Sequence, residues 1–346
     1  METIRLTQFS KGAGCGCKIA PDVLESILQK KEGEYSGSHD LIIGNDSRDD
    51  AAVIRLDESR GLISTNDFFT PIVDDPFDFG YIAAVNSLSD IYAMGGQPLL
   101  AIAILGWPVD RLGTEVASEV LRGGRAACKE AGLPLAGGHS IESPEPFFGL
   151  AANGLVEVAH LKRNDTAQDG DRLFLTKPLG TGLFSTAEKR EIATEEEKRV
   201  AYKCMKTLNK AGYDLGKVAG VHALTDVTGF GLAGHLMEMC LGSDLSACLD
   251  VSAIPRFEFV ERWIREFCMP NGTTRNWRSY GKEIQGADSN DLQLLADPQT
   301  SGGLLIACAA SAEAEVKDIL KAHGAHTESI GELRTHKKDA PRIVLQ

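Results

Sequence analysis

Two groups of residues in this chain of 346 have types and spacings suited to chemistry. The first is Gly12-Ala13-Gly14-Cys15-Gly16-Cys17-Lys18. Its alternating glycines give a backbone able to approach a phosphate or fold over a site. A lysine near a cysteine favours the thiolate, which is the nucleophilic and metal-binding form. Three readings stand side by side. Cys15 is a reactive group assisted by Lys18; or the C-x-C pair is a metal site, lacking the second pair such sites use; or the cysteines are incidental to a terminal segment. The segment is neither a Walker A loop, since Cys17 and Ile19 break the Gly-Lys-Ser/Thr ending, nor G-x-G-x-x-G.

The second group is acidic. Asp49 and Asp50 stand in Ser-Arg-Asp-Asp directly before an apolar strand. Asp67 lies at the end of the next strand. Asp90 sits in an apolar helix four residues after Asn86, so the two share a face. Asp226 ends a strand in Thr-Asp-Val-Thr-Gly-Phe-Gly. Aspartate is a poor helix former and is rarely buried unpaired, which makes Asp90 unexpected. Carboxylates at strand ends and on one helix face can converge on magnesium, which takes hard oxygen ligands. Taken singly, each aspartate also reads as a cap, a turn former or a surface charge. Ala136-Gly-Gly-His-Ser140 and Thr228-Gly-Phe-Gly231 are glycine-rich and lie near helix starts or strand ends, where phosphate can bind. By the residues alone, His139 and His235 read as structural.

These side chains need elements to hold them. The periodicities predict a helix over 21–30, a polar loop over 31–40, and strands at 51–56 and 62–65. A helix capped by Asp78 runs to Met94 and stops at Gly95-Gly96. A buried strand follows at 99–105, then a helix over 114–131 interrupted at Gly123-Gly124, then a strand at 147–156. A polar stretch over 162–171 separates a second unit. It has strands at 172–176, 223–226, 304–307 and 342–345, and helices near 195–218, 231–240, 258–267 and 312–323. The predicted class is α+β, with a segment 1–20 bearing the cysteines, a unit over 21–160 and an α/β unit over 170–346.

The bulk numbers narrow the function. A net charge of −13 argues against nucleic acid or an anionic membrane as partner. It leaves room for ATP, whose charge a local metal site offsets. No run approaches the roughly 20 apolar residues of a membrane span. The first residues carry no signal-peptide pattern. Of eight cysteines, six are isolated among apolar neighbours, the usage of a reducing compartment, so the expected location is the cytoplasm.

Taken in order, Gly12–Lys18, Ser47-Arg-Asp-Asp-Ala-Ala-Val53, Asp78-Phe-Gly80, Asn86 to Asp90, Met94-Gly-Gly96, Ala136-Gly-Gly-His-Ser140, Thr225-Asp-Val-Thr-Gly-Phe-Gly231 and Asp297-Pro-Gln-Thr-Ser-Gly-Gly303 form a recognisable set. Together they resemble the selenophosphate synthetase (selenide, water dikinase) family, over essentially the whole chain. The N-terminal loop is the most specific element. The aspartate motifs are shared with relatives of aminoimidazole ribonucleotide synthetase. The resemblance implies a two-domain aminoimidazole ribonucleotide synthetase-like fold, dimerising through the N-terminal sheet with nucleotide near that interface. It implies conversion of ATP, selenide and water to selenophosphate, AMP and phosphate. It places Cys15 at the catalytic position, selenocysteine in some members, with Lys18 as the adjacent essential lysine. Asp50, Asp90 and Asp226 match magnesium ligands. Lys18, Ser47, Arg48, Asp49, Asp67, Asp90, Gly138, His139 and Ser140 match positions at the nucleotide. Potassium is the implied monovalent cation, and a selenium-delivery protein is an implied partner. Two alternatives stay open: another ATP-dependent enzyme of the superfamily, or a non-catalytic ATP-binding redox module.

Overall fold

The computed structural model describes residues 4–12, 14–17, 23, 27, 40–44 and 49–346, with the backbone alone at Cys15 and Cys17. The helix expected over 21–30 and the loop over 31–40 fall almost wholly outside the described residues, as do Lys18, Ser47 and Arg48.

The first sheet runs β1 (Leu41–Ile43), β2 (Ala52–Arg55), β3 (Arg60–Phe69), β6 (Phe147–Glu157), β4 (Gln97–Trp107) and β5 (Leu135–Glu142) in that spatial order. β3, β6 and β4 pair antiparallel, and β5 joins β4 in parallel. Helix α1 (Pro76–Ala93) packs on β3, β6 and β4, and α2 (Thr114–Ala131) packs on α1. The cap of α1 is Asp75, not Asp78: the Asp75 carboxylate accepts from the Asp78 N–H at 2.8 Å. Pro76 then occupies the first turn, where a missing N–H costs nothing. Gly95 ends the helix as expected, at a φ of +73° that glycine adopts without strain. α1 is buried on nearly all sides because it also meets β8 (Val221–Asp226) of the second sheet.

Gly123-Gly124 does not interrupt α2, which is continuous. A Cβ on Gly123 would overlap the Phe77 carbonyl, and one on Gly80 would overlap the Val120 carbonyl. The glycines let two helix backbones touch, and the packing offsets the roughly 1 kcal/mol of helix propensity each one lacks. The strand expected at 99–105 exists within β4 but is covered on one face only. Ala101 and Ala103 point inward, whereas Ile102 is 44% exposed. The register Phe68–Gly149–Ile104–His139 carries that open face across the sheet. Phe68 and Ile141 on it are 48% and 52% exposed.

The second sheet runs β10 (Ile284–Gln285), β13 (Ile343–Leu345), β9 (Leu245–Leu249), β12 (Ser329–Thr335), β7 (Arg172–Leu175), β11 (Leu304–Cys308) and β8. Around it lie α3 (Thr181–Lys189), α4 (Glu195–Met205), α5 (Ala211–Gly216), α6 (Gly231–Gly242), α7 (Val260–Arg265), α8 (Asn271–Tyr280), α9 (Ser289–Leu295) and α10 (Glu313–Ala322). The single helix expected over 195–218 is two, α4 and α5. The break holds buried Asn209, whose amide donates to Ser89 Oγ at 2.7 Å and to the Gly302 carbonyl at 2.9 Å. The polar stretch over 162–171 is fastened to both halves. Lys162 Nζ donates to the Val218 and Val221 carbonyls, and the Asn164 N–H donates to Asp49 Oδ1 at 2.8 Å.

Candidate active site

The aspartates converge because α1 lies between the two sheets. Asn86 and Asp90, one turn apart, face β3. Asn86 Nδ2 donates to Asp67 Oδ2 at 2.6 Å, and Thr65 Oγ1 donates to Asp90 Oδ2 at 2.5 Å. From the other side β8 ends at Asp226, and the hydroxyl of Thr225 donates to Asp50 Oδ1 at 2.7 Å. Asp50, Asp90 and Asp226 each present a carboxylate oxygen, and these lie within 4.8 Å of one another.

Such a cluster is electrostatically incomplete. Two charges at that spacing repel by about 3 kcal/mol at an effective dielectric of roughly 20. Burial, then the neighbouring Asp226 and Asp90, hold the Asp50 carboxyl well above the usual range, against the opposing hydrogen bond from Thr225. Asp50 Oδ2 is buried with no hydrogen-bond partner among the described residues. A divalent cation would satisfy both the charge and the orphaned oxygen. All three donors are carboxylate oxygens, the set magnesium accepts.

The other expected site residues are spread more widely. Asp67 is tied to Asn86 beside the cluster. Asp49 holds the Asn164 N–H, with Arg163 at 3.8 Å. Gly138, His139 and Ser140 lie on β5, the outermost strand. Asp67, Leu150, Ala103 and Gly138 share one row, so Gly138 stands three strand spacings from Asp67, about 14 Å. His139 is on the opposite, open face of the sheet. Within one chain these three residues do not join the aspartates. His235 is structural: its Nε2 accepts from the Thr228 N–H at 3.1 Å. The turn at Thr228–Gly231 packs against backbone, with a Cβ on Gly231 only 2.7 Å from the Leu295 carbonyl, so that helix start is closed.

The cysteine-bearing segment forms a tight turn, Gly14–Cys17. The Gly14 N–H donates to the Thr70 carbonyl at 3.1 Å, just past the end of β3. Gly14 has φ +53°, and a Cβ there would overlap Ile72 and Thr300. Beyond it, Gly16 packs on Pro298. Residues 297–303 form this seat. Asp297 Oδ2 accepts from the Gly182 and Leu183 N–H groups at the start of α3, and burial pushes its carboxyl up to about 7. Gln299 Oε1 accepts from the Gly180 and Thr181 N–H groups. The Ser301 N–H donates to Asn86 Oδ1 at 2.7 Å, which joins the seat to the helix bearing Asp90. The sequence assigns no role to Thr65, Thr225 or Ser301, although the last two lie in recognised motifs, since hydroxyl residues in strands and turns carry no local mark of function. A cavity of about 600 Å³ that includes Lys177, Arg199 and Phe257 shares no residue with the aspartate cluster.

The sequence matches the AIR synthase related protein family, its N-terminal domain over residues 48–156 and its C-terminal domain over residues 168–343. It is 58% identical over 343 residues to a selenide, water dikinase of Pseudomonas aeruginosa, covering 99% of each chain. It is 57% identical over 341 residues to a selenide, water dikinase of Bordetella bronchiseptica, again covering 99% of each. Among solved structures, the fold is similar to a thiamine-monophosphate kinase from Stenotrophomonas maltophilia, with TM-score 0.62 and 20% identity over 95% of this chain and 96% of that one.

Proposed function

This chain belongs to the selenide, water dikinase family, and we propose that its Asp50–Asp90–Asp226 cluster holds the magnesium its reaction uses. That reaction forms selenophosphate from ATP, selenide and water, and releases AMP and phosphate. The observation that carries the proposal is the convergence of three carboxylates, from the start of β2, from α1 and from the end of β8, within 4.8 Å. Magnesium bound there supplies neutralising charge for the triphosphate.

The remaining work falls to the chain's own side chains. Thr65 and Thr225 orient Asp90 and Asp50 by donating to one oxygen of each. Cys15 acts on selenium, since a soft thiolate suits a soft chalcogen, and Lys18 keeps it ionised. The glycine turn covers the nucleotide and excludes water while selenide attacks the γ-phosphorus: a selenium–phosphorus bond forms and ADP leaves. Water then cleaves ADP to AMP and phosphate. Ser47, Arg48, Asp49 and Asp67 line the nucleotide from the same chain. Gly138, His139 and Ser140 serve a nucleotide across a homodimer interface, formed by the open apolar face that bears Phe68, Ile102 and Ile141. About 14 Å of sheet between Asp67 and Gly138 favours that division. The family resemblance extends the proposal to potassium and to a protein that delivers selenium. Among the described residues no helix is long and apolar enough to cross a membrane. Cys128, Cys204, Cys240, Cys248, Cys268 and Cys308 are free, which favours a cytoplasmic setting.

Anaerobic incubation with ATP, magnesium and selenide, followed by phosphorus NMR, tests this reading. Selenophosphate and AMP are expected from the native chain, and neither from Cys15→Ser at unchanged fold. Fully active Cys15→Ser would sink the loop assignment.

A further inference from the structure

Two cations from the second half of the chain grip the backbone on either side of Cys15. Lys189 sits in the last turn of α3, where a lysine ordinarily faces its own helix carbonyls. Here its Nζ donates instead to the Ser10 carbonyl at 2.6 Å and lies 3.4 Å from the carbonyls of Lys11 and Gly12. On α8, the Arg275 guanidinium donates to the Gly16 carbonyl. Gly272, one turn earlier, makes this approach feasible: a Cβ there would lie 3.4 Å from Gly16 Cα and 3.0 Å from Pro298. The strand of chain entering the turn is itself fixed. Leu6 is fully buried, and Asp74 accepts from Arg5 Nε at 2.8 Å and from Thr7 Oγ1 at 2.5 Å.

The Gly14–Cys17 turn is therefore suspended between charge-assisted bonds at Ser10, with Gly12 at the edge of the same contact, and at Gly16, and the described backbone bond from Gly14 to Thr70 lies between them. A glycine-rich backbone has high conformational entropy, and these external bonds add to the packing on Ile72, Pro298 and Thr300 in selecting one geometry for it. Both cations are half-buried, and neither touches the aspartate cluster.

We propose that Lys189 and Arg275 are positioning residues, which hold the turn that carries Cys15 in its reacting geometry through the carbonyls of Ser10–Gly12 and of Gly16. The proposal rests on the catalytic reading of Cys15. It makes the reactive turn depend on α3 and α8, so that the second half of the chain sets the geometry of a segment belonging to its first residues.

The test uses the full chain with Arg275→Ala, Arg275→Lys and Lys189→Met, the last keeping the aliphatic stem. Hydrogen exchange at the amides of residues 14–17 is read beside kcat and the KM for ATP. In Arg275→Ala and Lys189→Met, exchange at these amides is expected to quicken about ten-fold, and kcat to fall about ten-fold, the effect of one charge-assisted hydrogen bond. Exchange in α1 and β8, and the KM for ATP, stay as in the native chain. Arg275→Lys restores part of both, because one ammonium N–H can still reach the Gly16 carbonyl. A merely structural role would leave kcat untouched or move exchange throughout. Unchanged exchange at residues 14–17 in both truncations overturns the proposal, and so does quickened exchange with native kcat. If Arg275→Ala does not fold, Lys189→Met and Arg275→Lys decide. If the native chain makes no selenophosphate, the reaction assignment fails, and the exchange measurement still decides whether the two cations hold the turn.

Discussion

Replacing Asp50 by asparagine separates a metal site from an ordinary polar turn. Asparagine keeps the acceptor for Thr225 Oγ1, which now donates at 2.7 Å, and places an amide donor beside Asp90 and Asp226. Without magnesium the native cluster holds like charges within 4.8 Å, at about 3 kcal/mol per pair for an effective dielectric of roughly 20. Water at a half-open site and partial protonation cap the relief, so the expected net gain is ~1–3 kcal/mol. Urea unfolding in a chelating buffer should therefore show Asp50→Asn as more stable than the native chain. With magnesium and a non-hydrolysable ATP analogue the order should reverse: the native chain gains by ligand linkage and the variant gains little. A cap or turn role makes the opposite forecast, a loss of about 1 kcal/mol in both buffers. An apo variant less stable than the native chain, or an equal response to magnesium in both proteins, would refute the reasoning.

Asp297 gives a pH signature. Burial raises its carboxyl from an ordinary 3.8 to about 7, so the native state holds a proton that the unfolded chain has released between those values. The stability it contributes is full below the unfolded value and is lost as pH rises to about 7, by about 1.4 kcal/mol per unit. Asp297→Asn keeps an acceptor for the Gly182 and Leu183 N–H groups and removes this slope, so the difference between variant and native stability should move in the variant's favour from pH 5 to 7, and parallel curves would contradict it. If the native chain proves dimeric in light scattering, as proposed, Ile102→Lys, on the open face of β4, should yield a folded monomer; a dimer that persists in the variant, or a native monomer, would remove that face as the interface.

Much of this architecture was legible because local pattern and tertiary role agree. The helix bearing Asn86 and Asp90 announces itself by spacing, and its stop at Gly95 by the left-handed residue it needs. Asp90 stood out because it breaks a local rule, a carboxylate in an apolar helix, and the structure supplies the reason: Thr65 and the two other carboxylates. Their partners were not legible. A threonine at a strand end is ordinary until the strand opposite is known, and Arg275 is one surface arginine among many until α8 is laid against Gly16. The glycines of α2 show the same limit from the other side. Read locally, Gly123-Gly124 breaks a helix; only the backbone of α1, pressed against it, makes glycine the fitting choice. Strand β4 carries the comparison furthest. Its continuous apolar run is the composition of a strand covered on both faces. One face is covered by α1, while Ile102 on the other is open within the chain. The mismatch between a composition suited to burial on both faces and a face left open within the chain is the physical ground for expecting a second copy there.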